Sequence, residues 1–176
     1  MAKKVAVVAV NPVNGFGLFQ YLEAFFENGI FYKVFAVADS KEIKTNSGIA
    51  LIADDTVANL KGHEDEYDAL VFACGDAVPV FRQNADKPYN ITMLEVIKAF
   101  GEKGKIMIGH CAAAMMFDFV GVTKGKKVAV HPLAKPAIQN GEATDNPSEV
   151  DGNFYTAKDE NDIHTMISQV IVALKD

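Results

Sequence analysis

Lys105-Ile106-Met107-Ile108-Gly109-His110-Cys111-Ala112-Ala113-Ala114-Met115-Met116-Phe117 is the stretch that decides how this chain folds. The apolar run after Gly104 reads as a buried parallel strand, and the Ala/Met/Phe run as the helix that follows it. Almost no loop separates them. Cys111 therefore falls on a tight strand-to-helix turn, a nucleophile elbow that lifts one side chain above the sheet edge. The N-terminus of the following helix carries partial positive charge, which favours thiolate over thiol. A free cysteine is more often inert packing than a reactive group. Small residues on both sides of Cys111 favour the reactive reading, because a sharp turn against a helix needs them.

Outward from this stretch, strand-like and helix-like segments alternate, as in a parallel sheet with crossover helices. Val5 to Val10 reads as the first strand, Asn11 to Gly17 as a turn, and Leu18 to Asn28 as a helix, with apolar residues at helical spacing. Tyr32–Val37, Ser47–Ile52, Tyr67–Ala73, Lys126–Val130 and Phe154–Thr156 read as further strands, and Ile91–Phe100 and Asp162–Leu174 as helices. Asn140–Pro147 is polar and turn-rich, which places it at the surface. The 176 residues make one domain, 1–176, and an apolar share of 49% is enough to cover both faces of a sheet.

Composition narrows the partners. The net charge is −6, without a long basic run, which argues against nucleic acid. Val5–Val10 is too short to span a membrane, and no cleavage pattern follows it. Two cysteines do not make the disulfide framework of a small secreted domain. These features read as a cytoplasmic protein with no membrane partner.

Open α/β sheets bind ligands beyond the carboxyl ends of their strands. Asn11–Gly17, Cys74-Gly75-Asp76, Gly109–Ala112 and His131-Pro132 should meet there. In the simplest constellation Cys111 is the nucleophile, His131 manages its proton, and the backbone N–H groups of Gly75 and Ala112 hold an oxyanion. Gly17, Cys74, Asp76 and His110 are further pocket candidates. His110 reads as structural. Cys74 is either a small buried residue or a resolving thiol for an oxidised Cys111. The four cysteines and histidines lack metal-motif spacing, so no metal is expected. The Asn11–Gly17 turn is not a P-loop, and an anion or flavin there is a minor reading.

Lys127-Val128-Ala129-Val130-His131-Pro132-Leu133-Ala134-Lys135, placed after Gly109-His110-Cys111-Ala112, resembles the ThiJ/PfpI family of the class I glutamine amidotransferase-like superfamily. Tyr67–Phe72 and Asp151–Thr156 are similar to its strands, so the likeness spans nearly the whole chain. The resemblance implies a flavodoxin-like three-layer α/β sandwich, a mostly parallel sheet with helices on both faces, and a homodimer. It implies a cysteine-dependent hydrolase (protease, glyoxalase or deglycase type) acting on a small-molecule or peptide substrate, with no cofactor. Three positions depart from the family pattern. Gly17 stands where a thiol-bonding glutamate is usual. Cys74 replaces the first glycine of a Gly-Gly pair. Ala112 follows the cysteine and His110 precedes it, where protease-type members carry a histidine after it. Without a carboxylate at position 17 the pocket should accept an anion more readily. The alternative to a hydrolase is a non-catalytic redox sensor or small-ligand-binding protein, with a flavin or metal in the cleft as a weaker variant.

Overall fold

The computed structural model describes residues 3–176. Eleven strands and five α-helices follow one another as β1 (Lys4–Val10), α1 (Gly15–Glu27), β2 (Phe31–Val37), β3 (Glu42–Lys44), β4 (Ala50–Ile52), β5 (Asp55–Thr56), α2 (Val57–Leu60), β6 (Ala69–Ala73), α3 (Pro88–Glu102), β7 (Ile106–His110), α4 (Ala113–Phe119), β8 (Lys127–Ala129), β9 (Glu142–Thr144), β10 (Ser148–Asp151), β11 (Phe154–Ala157) and α5 (Ile167–Lys175). Seven strands form the central sheet in the order β10-β11-β7-β6-β1-β2-β5. Every neighbouring pair is parallel except the β10–β11 hairpin at one edge.

The central strands are continuous apolar runs because both of their faces are covered. Residues Val5 to Val10 of β1 and Ala69 to Ala73 of β6 are all buried. Helices α1 and α5 pack together, as do α2, α3 and α4, giving helical layers around the sheet. Tyr21 and Phe25 of α1, Phe100 of α3 and Phe117 of α4 are among the largest side chains sealed in the core. The architecture is thus a flavodoxin-like α/β fold. Among the described residues no helix is long and apolar enough to cross a membrane.

Two segments read as sheet strands lie elsewhere. Residues 127–129 pair with β9 in a separate two-stranded sheet, and residues 50–52 pair antiparallel with β3. Both are three residues long, too short for apolar composition to specify a partner; Val128 and Ala129 are buried, whereas Ala50 and Ile52 are exposed. The polar stretch 140–147 likewise contains a strand, β9. The closing helix begins at Ile167, after a 3₁₀ turn over Ile163–Thr165.

Asp118, near the end of α4, holds the β8–β9 unit to the elbow helix. Its carboxylate accepts from the Thr123 hydroxyl at 2.5 Å and from the backbone N–H groups of Gln139, Asn140 and Gly141 at 2.7, 3.0 and 2.8 Å. Burial alone would raise its pKa. The Thr123 hydroxyl and the three N–H groups outweigh that and hold it below the usual carboxylate value. Asp118→Ala leaves those donors without a protein partner and is expected to destabilise by about 2–3 kcal/mol in urea unfolding. A midpoint unchanged from the parent would show that water replaces the carboxylate at no cost.

Candidate active site

Strand β7 ends at His110 and α4 starts at Ala113, so the chain turns within two residues. Cys111 takes φ 59°, alone in the left-handed region among the non-glycine residues described. A non-glycine residue pays roughly 1–2 kcal/mol for that conformation. It persists because both flanks are pinned: the Cys111 N–H donates to the Ala157 carbonyl at 3.1 Å, and the Cys111 carbonyl accepts from the His131 N–H at 2.9 Å. Cys111 is half-buried.

Strands β6 and β7 are parallel neighbours, with Phe72 opposite Gly109. Two residues further along, Cys74 stands beside Cys111. Both cysteines are free, and Cys74 is buried. The mutual influence of the two thiols is the largest effect on the ionisation of each, and it acts in opposite directions. It lowers the Cys111 pKa, assisted by the Ala112 N–H and opposed by burial and by the charges of Glu160 and Asp159. It raises the Cys74 pKa well above the usual thiol value, and burial pushes the same way. The backbone N–H groups of Ala112 and Gly75 oppose that rise at Cys74. Of the two thiols, Cys111 is the one more readily ionised.

Gly75 has no room for a side chain, because a Cβ would overlap the backbone of Pro12 and Val13. The Asn14 N–H donates to the Cys74 carbonyl at 2.9 Å, which locks the turn before α1 against the turn after β6. Asp76 is held at this edge by its N–H, which donates to Asn46 Oδ1 at 3.0 Å. The turn before α1, the Cys74–Asp76 segment, the elbow and His131 are thereby joined by direct backbone contacts.

Gly17 and His110 form a second linked pair. The Gly17 N–H donates to Asn14 Oδ1 at 2.5 Å, capping α1. A Cβ at Gly17 would overlap the imidazole Nε2 and Cε1 atoms of His110. The imidazole thus fills the space beside position 17. His110 is 1% exposed, with Nδ1 3.2 Å from the Tyr21 hydroxyl and Nε2 without a hydrogen-bond partner. Burial pulls its pKa down to about 4, against a small opposing pull from Asp159. His131 is placed differently. Its Nδ1 accepts from the Leu133 N–H at 3.2 Å, so the neutral ring carries its proton on Nε2.

The histidine in the core has a measurable consequence. Between pH 6.5, the ordinary imidazole value, and about 4, the unfolded chain takes up a proton that native His110 refuses. Its contribution to stability is therefore complete above pH 6.5 and is lost as the pH falls to about 4, by roughly 3 kcal/mol. Urea unfolding of the parent and of His110→Gln at pH 7 and pH 4.5 reads this directly. The parent should lose the greater stability; parallel losses would show that His110 is solvated.

Asp159 and Glu160, in the loop after β11, oppose the ionisation of Cys111. The Glu160 carbonyl accepts from Gln20 Nε2 of α1 at 2.9 Å, which fastens that loop to the site. Nothing in the polar run Lys158-Asp159-Glu160-Asn161 distinguishes it from an ordinary surface loop, so sequence reasoning passed over it. Asp118 did carry a signal, as a lone acid inside Met115-Met116-Phe117-Asp118-Phe119. Among the described residues no three of His, Cys, Asp and Glu converge as metal ligands, and the Cys74, His110, Cys111 and His131 set is no exception.

The chain is 79% identical over 175 residues to Protein ppBat of Bacteroides thetaiotaomicron, covering 99% of this chain and 100% of that one. A crystal structure named "putative protease I" from Bacteroides thetaiotaomicron superposes with a TM-score of 0.98 at 79% identity, over 99% of this chain and 100% of the other. Drosophila melanogaster DJ-1beta shares the fold, with a TM-score of 0.84 at 18% identity, over 99% of this chain and 91% of its own. The DJ-1/PfpI family model matches residues 3–173, and the chain belongs to that family.

Proposed function

We propose that the protein is a cysteine-dependent hydrolase of small carbonyl compounds. The observation that carries this reading is a left-handed elbow cysteine, half-buried at the sheet edge, whose pKa is drawn below the ordinary thiol value by the neighbouring Cys74. A hydrolytic role also agrees with the protease name borne by the 79% identical relative.

Each group has a task. Cys111 attacks the carbonyl carbon, and the electron pair of the C=O bond moves to oxygen. The Ala112 N–H, which favours the ionised form of both thiols, is the first donor for that oxyanion, and the Gly75 N–H is the second. Cys74 S–H stabilises the resting thiolate, the work a carboxylate at position 17 would otherwise do. His131 in its imidazolium form gives a proton to the leaving group; water then attacks the thioester, and its proton returns to the imidazole as the acyl group leaves sulfur. Asp159 and Glu160 favour a substrate that is neutral or cationic around its carbonyl, as opposed to a carboxylate or phosphate.

Alkylation by iodoacetamide, followed by mass spectrometry for each cysteine across pH, tests the nucleophile. Cys111 should react with a midpoint below about 8.5, the ordinary thiol value, while Cys74 stays silent. Cys74→Ala should move the Cys111 midpoint upward. A Cys111 midpoint at or above the ordinary value would overturn the proposal.

A further inference from the structure

The two thiols lie on adjacent parallel strands at matching positions. Backbones of neighbouring strands run about 4.8 Å apart, inside the span of about 4.4–6.8 Å that a disulfide bridges between Cα atoms. Phe72 opposite Gly109 is the last paired position of β6 and β7, and the cysteines follow two residues beyond it. The register thus sets Cys74 opposite Cys111, and both are free thiols. One of them is half-buried and the other sealed. That asymmetry matters: a dissolved oxidant reaches the half-buried Cys111 before the buried Cys74.

We propose that Cys74 and Cys111 form a dithiol–disulfide redox pair, in which Cys111 is the thiol that reacts with a hydroperoxide and Cys74 is the resolving thiol. This rests on the reading of Cys111 as a thiolate nucleophile. In the first step the Cys111 thiolate attacks the terminal oxygen of R–O–O–H. A sulfur–oxygen bond forms, the O–O bond breaks, and RO⁻ leaves to be protonated to ROH. Cys111 is oxidised by two electrons to sulfenic acid, and the hydroperoxide is reduced. In the second step the Cys74 sulfur attacks the Cys111 sulfur. The S–S bond forms, the S–OH bond breaks, and the hydroxyl leaves with the Cys74 proton as water. Two equivalents of a small thiol return the pair to the dithiol and leave as their own disulfide.

The consequence for the site is direct. In the disulfide the nucleophile is blocked but recoverable, because closure at Cys74 diverts the sulfenic acid from irreversible oxidation to sulfinic and sulfonic acids. Cys74 also loses its thiol proton, so nucleophile activation and redox closure depend on one side chain. A carboxylate in that role would activate the thiol without being able to close on it.

Intact-mass analysis of the full chain treated with hydrogen peroxide tests this, with alkylation of a parallel untreated sample. The expected product has lost about 2 Da, carries a Cys74–Cys111 linked peptide, and returns to the starting mass with dithiothreitol. In Cys74→Ser the same dose should yield gains of about 16 and 32 Da on Cys111 in place of that loss. The parent result decides by itself if the variant does not fold. Gains of about 32 Da in the parent with no linked peptide would overturn the redox pair. If Cys111 of the untreated sample still alkylates as a thiolate in that case, the hydrolase reading survives. Absence of both alkylation and oxidation would remove both.

Discussion

Cys111→Ala is expected to lower hydrolysis of an activated ester such as p-nitrophenyl acetate to the buffer rate, a fall of about 10³-fold or more. That corresponds to about 4 kcal/mol of transition-state stabilisation, the scale on which a covalent nucleophile contributes. The substitution has little cost to the fold. Cys111 is half-buried, and alanine removes one atom from a position whose backbone is held by Ala157 and His131. The left-handed φ of 59° is no harder for alanine than for cysteine. Loss of rate with an unchanged unfolding midpoint would therefore report chemistry. A variant that hydrolyses the ester as fast as the parent would sink the hydrolase reading.

The second large effect concerns the departure at position 17. Gly17→Glu looks like a restoration of the family's usual residue, yet it should destabilise by about 3 kcal/mol or more. The new Cβ overlaps the His110 imidazole, which is sealed against Tyr21 and has no vacant side to move toward. A buried carboxylate beside a histidine that stays neutral at pH 7 adds a desolvation cost. Helix propensity works the other way, since glycine inside α1 is disfavoured by about 1 kcal/mol, but this is the smaller quantity. The double variant Gly17→Glu, His110→Ala should recover most of the loss, because the two residues compete for one volume. Gly17→Glu as stable as the parent in urea would contradict the overlap. A double variant no better than the single one would show that the carboxylate itself is the burden.

These two outcomes show why the site was only partly legible in the chain. The elbow was legible because it is local. An apolar run meeting a small-residue helix with no loop leaves a single place for Cys111, on the sharp turn between them. The buried parallel strands were legible for the same kind of reason, since Val5–Val10 and Ala69–Ala73 are apolar at every position, as strands covered on both faces are. Strand ends also placed Cys74 and Cys111 at one edge of the sheet.

Contacts between residues far apart in sequence were not legible. Gly17 and His110 are separated by most of the chain, and only the packing of α1 on β7 shows that one is glycine because the other is histidine. The missing carboxylate suggested a pocket open to anions, but the loop after β11 brings Asp159 and Glu160 toward the thiol from an unrelated segment. The 127–129 strand read as part of the sheet, whereas a three-residue strand takes whatever partner the fold presents, and here that is β9. By itself, then, the sequence determined the α/β fold and the elbow with Cys111 on it, because periodicity and turn stereochemistry act over a few neighbouring residues. Only the tertiary structure decided which group activates Cys111, which one occupies the space beside Gly17 and what charge faces the site, because those depend on distances that chain folding alone creates.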